Sequence, residues 1–167
     1  LFGRAKPTDK LVDKVVAVRD FEKEERELVF DGAEATAEAL ARWFVVASTP
    51  LADMMTFQNQ ERYKLLPTLV VMTRLDPQYD PSGLRYVLNR LRAVAKDYRG
   101  RLFFATQDRV YSERYEDMQF PPEQKFAVAV LDGDKAYRSD VTTLKKEELA
   151  AFADAFLAGQ VPRFIKS

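Results

Sequence analysis

Chemistry in this chain has to proceed without its two most versatile side chains. Of 167 residues, none is cysteine and none is histidine. That removes thiolate nucleophiles, disulfides, imidazole bases, the usual zinc ligand sets and histidine-based triads together. Carboxylates remain, 26 of them, but no spacing singles out a pair for acid–base work. Asp132-Gly133-Asp134 superficially resembles the start of a calcium loop. The glycine at loop position six and the closing glutamate are missing, so a hairpin turn is expected there. Six scattered glycines form neither a phosphate loop nor a dinucleotide fingerprint. Arg90, Arg92, Lys96, Arg99 and Arg101 form a basic cluster, but Asp97 interrupts it and 26 basic residues balance 26 acidic ones. A solvated helix face is expected, not a nucleic-acid patch. These exclusions say what the chain cannot do; its carboxylates and its large apolar side chains remain.

The elements that would position such side chains can be read from periodicity. VVAV (15–18) and ELVF (27–30) flank a charged stretch and suggest a hairpin ended by Asp31-Gly32. A helix over 34–47 follows, with Leu40, Trp43, Phe44 and Ala47 on one face. After Pro50 the pattern restarts with a short apolar run (51–57), a polar helical piece (58–66) and a β-rich run Thr68–Met72 entered through Pro67. The loop DPQYDPSG leads into a helix over 84–98, ended by Gly100. Leu102–Thr106 reads as a buried strand, 111–119 as a short helix before Pro121-Pro122. Phe126–Leu131 and Lys135–Arg138 make a hairpin through Asp132-Gly133. A final helix carries Leu149, Phe152, Ala153, Phe156 and Leu157 on one face and ends at Gly159. The order β-α-β-α-β-α-β-β-α over 51–158 calls for an α/β fold: a mixed five-stranded sheet with helices on both faces. No apolar run approaches membrane-spanning length.

Three phrases carry a family resemblance: YRGRLFFATQDR (98–109), AVAVLDGDKAY (127–137) and ELAAFADAFLAGQVPRFIKS (148–167). Together they resemble the thioredoxin-like b′ domain of protein disulfide isomerases. The resemblance is closest to the glycoprotein-associated isomerase and its relative with three catalytic domains. Upstream, VVAVRDFEKEERELVFDG (15–32) and ALARWFVVASTPL (39–51) resemble the end of a b domain and its linker. The implied organisation is 1–47 as the C-terminal part of a preceding b domain with linker, and 48–167 as a b′ domain. Phe57–Gln60 stand where a catalytic domain of the family carries Cys-x-x-Cys. Lys125 stands where many such domains carry a proline, and Ser82 where the subgroup carries a lysine.

The resemblance implies a redox-inactive binding domain of an isomerase of the endoplasmic reticulum lumen. It would hold unfolded or partly folded clients, glycoproteins among them, for catalytic domains elsewhere in the parent chain, and no cofactor is implied. The implied peptide pocket lies between the first and third helices, over Phe57, Tyr63, Phe104, Tyr115 and Met118; aromatics and methionine offer large adaptable apolar area. Arg90 and Leu91 match positions used to dock lectin chaperones of the calnexin and calreticulin type. Two alternatives stand beside this reading. One is a structural spacer; the other is a calsequestrin-like calcium store, against which the zero net charge argues.

Overall fold

The computed structural model describes residues 14–22, 26–30, 36–74 and 78–166. The chain divides into two compact units, residues 1–50 and 51–167. In the first, β1 (Val16–Val18) and β2 (Glu27–Val29) pair antiparallel with Ala17 opposite Leu28. Helix α1 (Ala37–Ser48) starts where the Thr36 hydroxyl accepts from the Ala39 N–H at 3.1 Å, satisfying one of the orphan donors of a first turn. Phe30 meets Trp43 edge-on at 5.4 Å. The expected Asp31-Gly32 break lies outside the described residues.

The second unit is built on a sheet of order β3-β5-β4-β6-β7. Strands β3 (Asp53–Met54), β4 (Thr68–Thr73) and β5 (Phe103–Asp108) run parallel, while β6 (Ala127–Asp132) pairs antiparallel with both β4 and β7 (Lys135–Arg138). The β6–β7 turn is the predicted one, with Gly133 at φ 59°, a conformation tight primed turns demand. Helices α2 (Pro81–Ala95), α3 (Glu113–Asp117) and α4 (Lys146–Leu157) complete the unit with three 3₁₀ turns, Gln60–Lys64, Lys96–Tyr98 and Arg109–Tyr111. This is the α/β architecture expected above.

Alternation along the strands sorts the core onto two faces. Leu69, Val71, Phe104, Val128 and Val130 join Val87, Leu91 and Val94 of α2 and Leu149, Phe152 and Ala153 of α4 in one cluster. The opposite face carries Phe103, met edge-on by Tyr63 at 5.8 Å, and Met72, whose sulfur accepts from the Ser112 hydroxyl. Helices α2 and α4 therefore cover one face, and the 60–64 turn and α3 the other. Each fully buried leucine contributes about 2–3 kcal/mol of transfer free energy.

One element is shorter than expected. The helix anticipated over 58–66 is a single 3₁₀ turn, because Asn59 is held in a turn by Thr56 N–H and Met54 C=O, both at 2.8 Å. Pro67 then disfavours helical geometry at the residue before it. Little chain is left between the two for more than one turn. At the C-terminus, residues 161–166 follow the outer edge of β7: the Phe164 N–H donates to Ala136 C=O at 2.8 Å, Arg163 faces Asp134 at 3.4 Å and Lys166 faces Asp117 at 2.8 Å.

Tyr98 ties the end of α2 to α4, its hydroxyl donating to Asp154 Oδ1 at 2.8 Å and Ala150 C=O at 3.0 Å. Burial first, then the bond to the Asp154 carboxylate, push its pKa from 10.0 up to about 12. A folded pKa above the unfolded one means the contribution is complete below pH 10.0 and lost as pH rises toward about 12. Tyr98→Phe should unfold about 1–2 kcal/mol more easily at neutral pH. Urea unfolding followed at rising pH should show that gap narrowing through this window.

Candidate functional site

The C-terminal ends of the parallel strands, where open α/β sheets place their ligands, are also where Phe57, Val110 and Tyr111 are exposed. β3 passes into a tight turn: the Met55 N–H donates to Thr106 C=O at 2.8 Å, and the Gln60 N–H to Thr56 C=O at 3.0 Å. Asn59 is bonded on both sides of this turn, and Phe57 within it is 73% exposed. β5 ends at Asp108, whose Oδ1 accepts from the Val110 N–H at 3.0 Å and so caps the 3₁₀ turn Arg109–Tyr111. That cap raises Tyr111 beside the strand ends, 67% exposed. Between the two turns lies a cavity of about 260 Å³. Met54, Met55, Thr56, Phe57 and Gln60 line it from the β3 side, and Gln107, Asp108 and Tyr111 from the β5 side.

Behind the cavity, two arginines hold the loop that enters β6. Nη1 of Arg109 lies 3.1 Å from Pro122 C=O, 3.2 Å from Gln124 C=O and 3.4 Å from the Tyr115 hydroxyl. Its guanidinium also sits 5.6 Å from the centre of the Tyr115 ring. Arg138 stacks over Phe120 at 4.7 Å and donates to the carbonyls of Met118 and Gln119. Gln119 adopts φ 52°, a left-handed conformation that costs a non-glycine residue energy and persists only where its surroundings impose it. Thr73 adds a hydroxyl bond to Lys125 C=O at 2.7 Å. Lys125 thus lies in a loop fixed by side-chain donors, and no peptide bond among the described residues is cis.

Of the five residues implied for the pocket, only Phe57 lines this cavity. Phe104 is corrected outright: it is 1% exposed in the α2 and α4 core, 5.7 Å from the Tyr98 ring, across the sheet from Tyr63. Tyr63 is buried against Phe103, its hydroxyl without a hydrogen-bond partner among the described residues; burial, and secondarily Asp53, push its pKa up. Met118 is buried at the end of α3, and half-buried Tyr115 is the platform for Arg109. The expected group is therefore not one surface. Of the pair implied for lectin-chaperone docking, Arg90 is exposed, 5.3 Å from the Tyr86 ring. Leu91 is fully buried in the α2 core, so a docking partner could not touch it.

Sequence reasoning missed Met54, Met55, Thr56, Gln60, Gln107, Asp108 and Tyr111 of the lining. The available signal was the phrase TQDRVYS, a buried strand ending on an Asp suited to cap a turn that brings up an aromatic. Chemically the site can bind but has few means to react. Among the described residues no group of three carboxylates is placed to hold a metal ion, and the cavity lining offers amides, thioethers, two aromatic rings and one carboxylate.

The sequence profile of the thioredoxin-like domain family matches residues 6–155. Among solved structures, the bb fragment of ERp72 is similar at a TM-score of 0.64 and 23% identity, covering 90% of this chain and 70% of that one. The zinc-bound form of human ERp44 gives a TM-score of 0.56 at 18% identity, covering 93% of this chain and 44% of that one. A second human ERp44 structure gives 0.56 at 18% identity, with coverage of 90% and 48%. The chain thus spans less than half of the ERp44 chains. No curated protein sequence matches it significantly.

Arg109→Met keeps the bulk of the side chain and removes the donors that hold the 120–126 loop. It should cost about 1–3 kcal/mol of stability and speed hydrogen exchange in that loop, read by mass spectrometry, by more than in β4, whose exchange follows global unfolding.

Proposed function

Because the chain belongs to the thioredoxin-like domain family, we propose that it acts as a redox-inactive binding domain of a protein disulfide isomerase of the endoplasmic reticulum lumen. It holds unfolded or partly folded chains for Cys-x-x-Cys domains elsewhere in the parent. The observation that carries this reading is the cavity between Met54–Gln60 and Gln107–Tyr111, with Phe57 and Tyr111 exposed at its mouth. It stands at Phe57–Gln60, where a catalytic relative has its thiols, and this chain has no thiol to place there. Two exposed aromatic rings flanking an open cavity give a large desolvation gain on contact with an apolar segment. Two methionines in the lining let it fit different side chains. Tethering to catalytic domains would then raise the local concentration of the client at their cysteines. The finer placement near the glycoprotein-associated isomerase rests on the phrases 98–109, 127–137 and 148–167.

Titration of an apolar unfolded peptide into the chain, followed by amide chemical shifts, should perturb Phe57, Gln107 and Tyr111. Phe57→Ala and Tyr111→Ala should each weaken binding about tenfold with stability changed by less than about 0.5 kcal/mol, since both rings are mostly in water. Shifts confined to the termini, or full affinity in the double variant, would sink the proposal.

A further inference from the structure

We infer that the cavity selects a basic residue of the client, taking a lysine or arginine side chain with its aliphatic stem along Met54 and Met55 and its cationic head against Asp108. The inference rests on the binding role proposed above and adds the chemistry of the residue that enters.

Asp108 is the sole charged residue in the cavity lining and is only 9% exposed. Its Oδ1 is taken by the Val110 N–H at 3.0 Å, and Oδ2 has no hydrogen-bond or ion-pair partner among the described residues. The adjacent Arg109 makes no ion pair with it among the described residues, its Nη1 donating instead toward Tyr115, Pro122 and Gln124. A carboxylate in a largely apolar cavity needs water or a cation beside it. An apolar side chain entering would strip that water and return nothing, which is costly. An acidic one would add repulsion. An ammonium or guanidinium replaces the water with a charge-assisted bond. The mouth supports the same choice, since the ring faces of Phe57 and Tyr111 attract cations as well as apolar groups. A cavity of about 260 Å³ is at the small end of ligand sites and suits one long side chain, the rest of the client lying across the rings outside.

Three fluorescent peptides test this, identical and apolar except for a central lysine, norleucine or glutamate, each titrated by anisotropy into the full chain. The lysine peptide should bind about tenfold more tightly than the norleucine peptide, the glutamate peptide most weakly, and the preference should shrink with added salt. Asp108→Asn keeps the shape and the Val110 cap; it should bring the lysine-to-norleucine ratio to about one, with an unchanged thermal midpoint checking its fold. Equal binding of lysine and norleucine peptides to the unaltered chain, or an unchanged ratio in Asp108→Asn, overturns the inference while leaving the binding role standing. Failure of all three peptides to bind, or binding indifferent to Phe57→Ala, overturns both.

Discussion

Strand β4 is the constraint from which the second unit follows. All six of its residues, Thr68–Thr73, are buried, and it is paired on one side with parallel β5 and on the other with antiparallel β6. A strand so enclosed needs apolar cover on both faces, which α2 and α4 provide on one side and the 60–64 turn with α3 on the other. Parallel pairing to β5 requires a crossover, supplied by α2, and directs both strands toward the same end. β3 runs the same way, so the chain turns away there after Met54, Thr73 and Asp108, and the gap between the first and last of these departures is the cavity. The cavity is thus a by-product of sheet topology, finished by a few local hydrogen bonds.

Most of that topology was legible because it depends on period. The amphipathic stripe of α2, the Asp132-Gly133 turn and the apolar face of α4 each repeat a signal over several residues. Boundaries followed where Gly100 and Gly159 take positive φ. The site was harder to read because it depends on parity. Phe103 and Phe104 are adjacent and alike, yet a strand sends them to opposite faces, and nothing within the phrase FF says which one meets Tyr63. Choosing Phe104 moved the implied pocket through the sheet. Leu91 failed for the kindred reason that its neighbour Arg90 lies on the wet side of the same helix turn.

Asp108 and Tyr111 were invisible for another reason. Their importance comes from where a strand stops, and strand ends are poorly determined by composition. Asn59 acts similarly: one side-chain amide bonding Thr56 and Met54 shortens a helix to a turn and leaves Phe57 in water. Tertiary detail of this kind, made by single hydrogen bonds, has no repeat for a sequence reading to detect. Arg109 and Arg138 show the same economy. They look like surface charges in the sequence, and in the fold they supply the donors that hold the β6 entry loop and its left-handed Gln119.

The segment laid along β7 bears on the colloidal behaviour of the molecule. A sheet edge left bare is a template for strands of other molecules. By giving the Ala136 carbonyl to Phe164 and pinning the segment with Arg163 and Lys166, the chain occupies part of that edge with its own backbone. Part of the outermost strand is thereby closed to edge-to-edge pairing with other molecules.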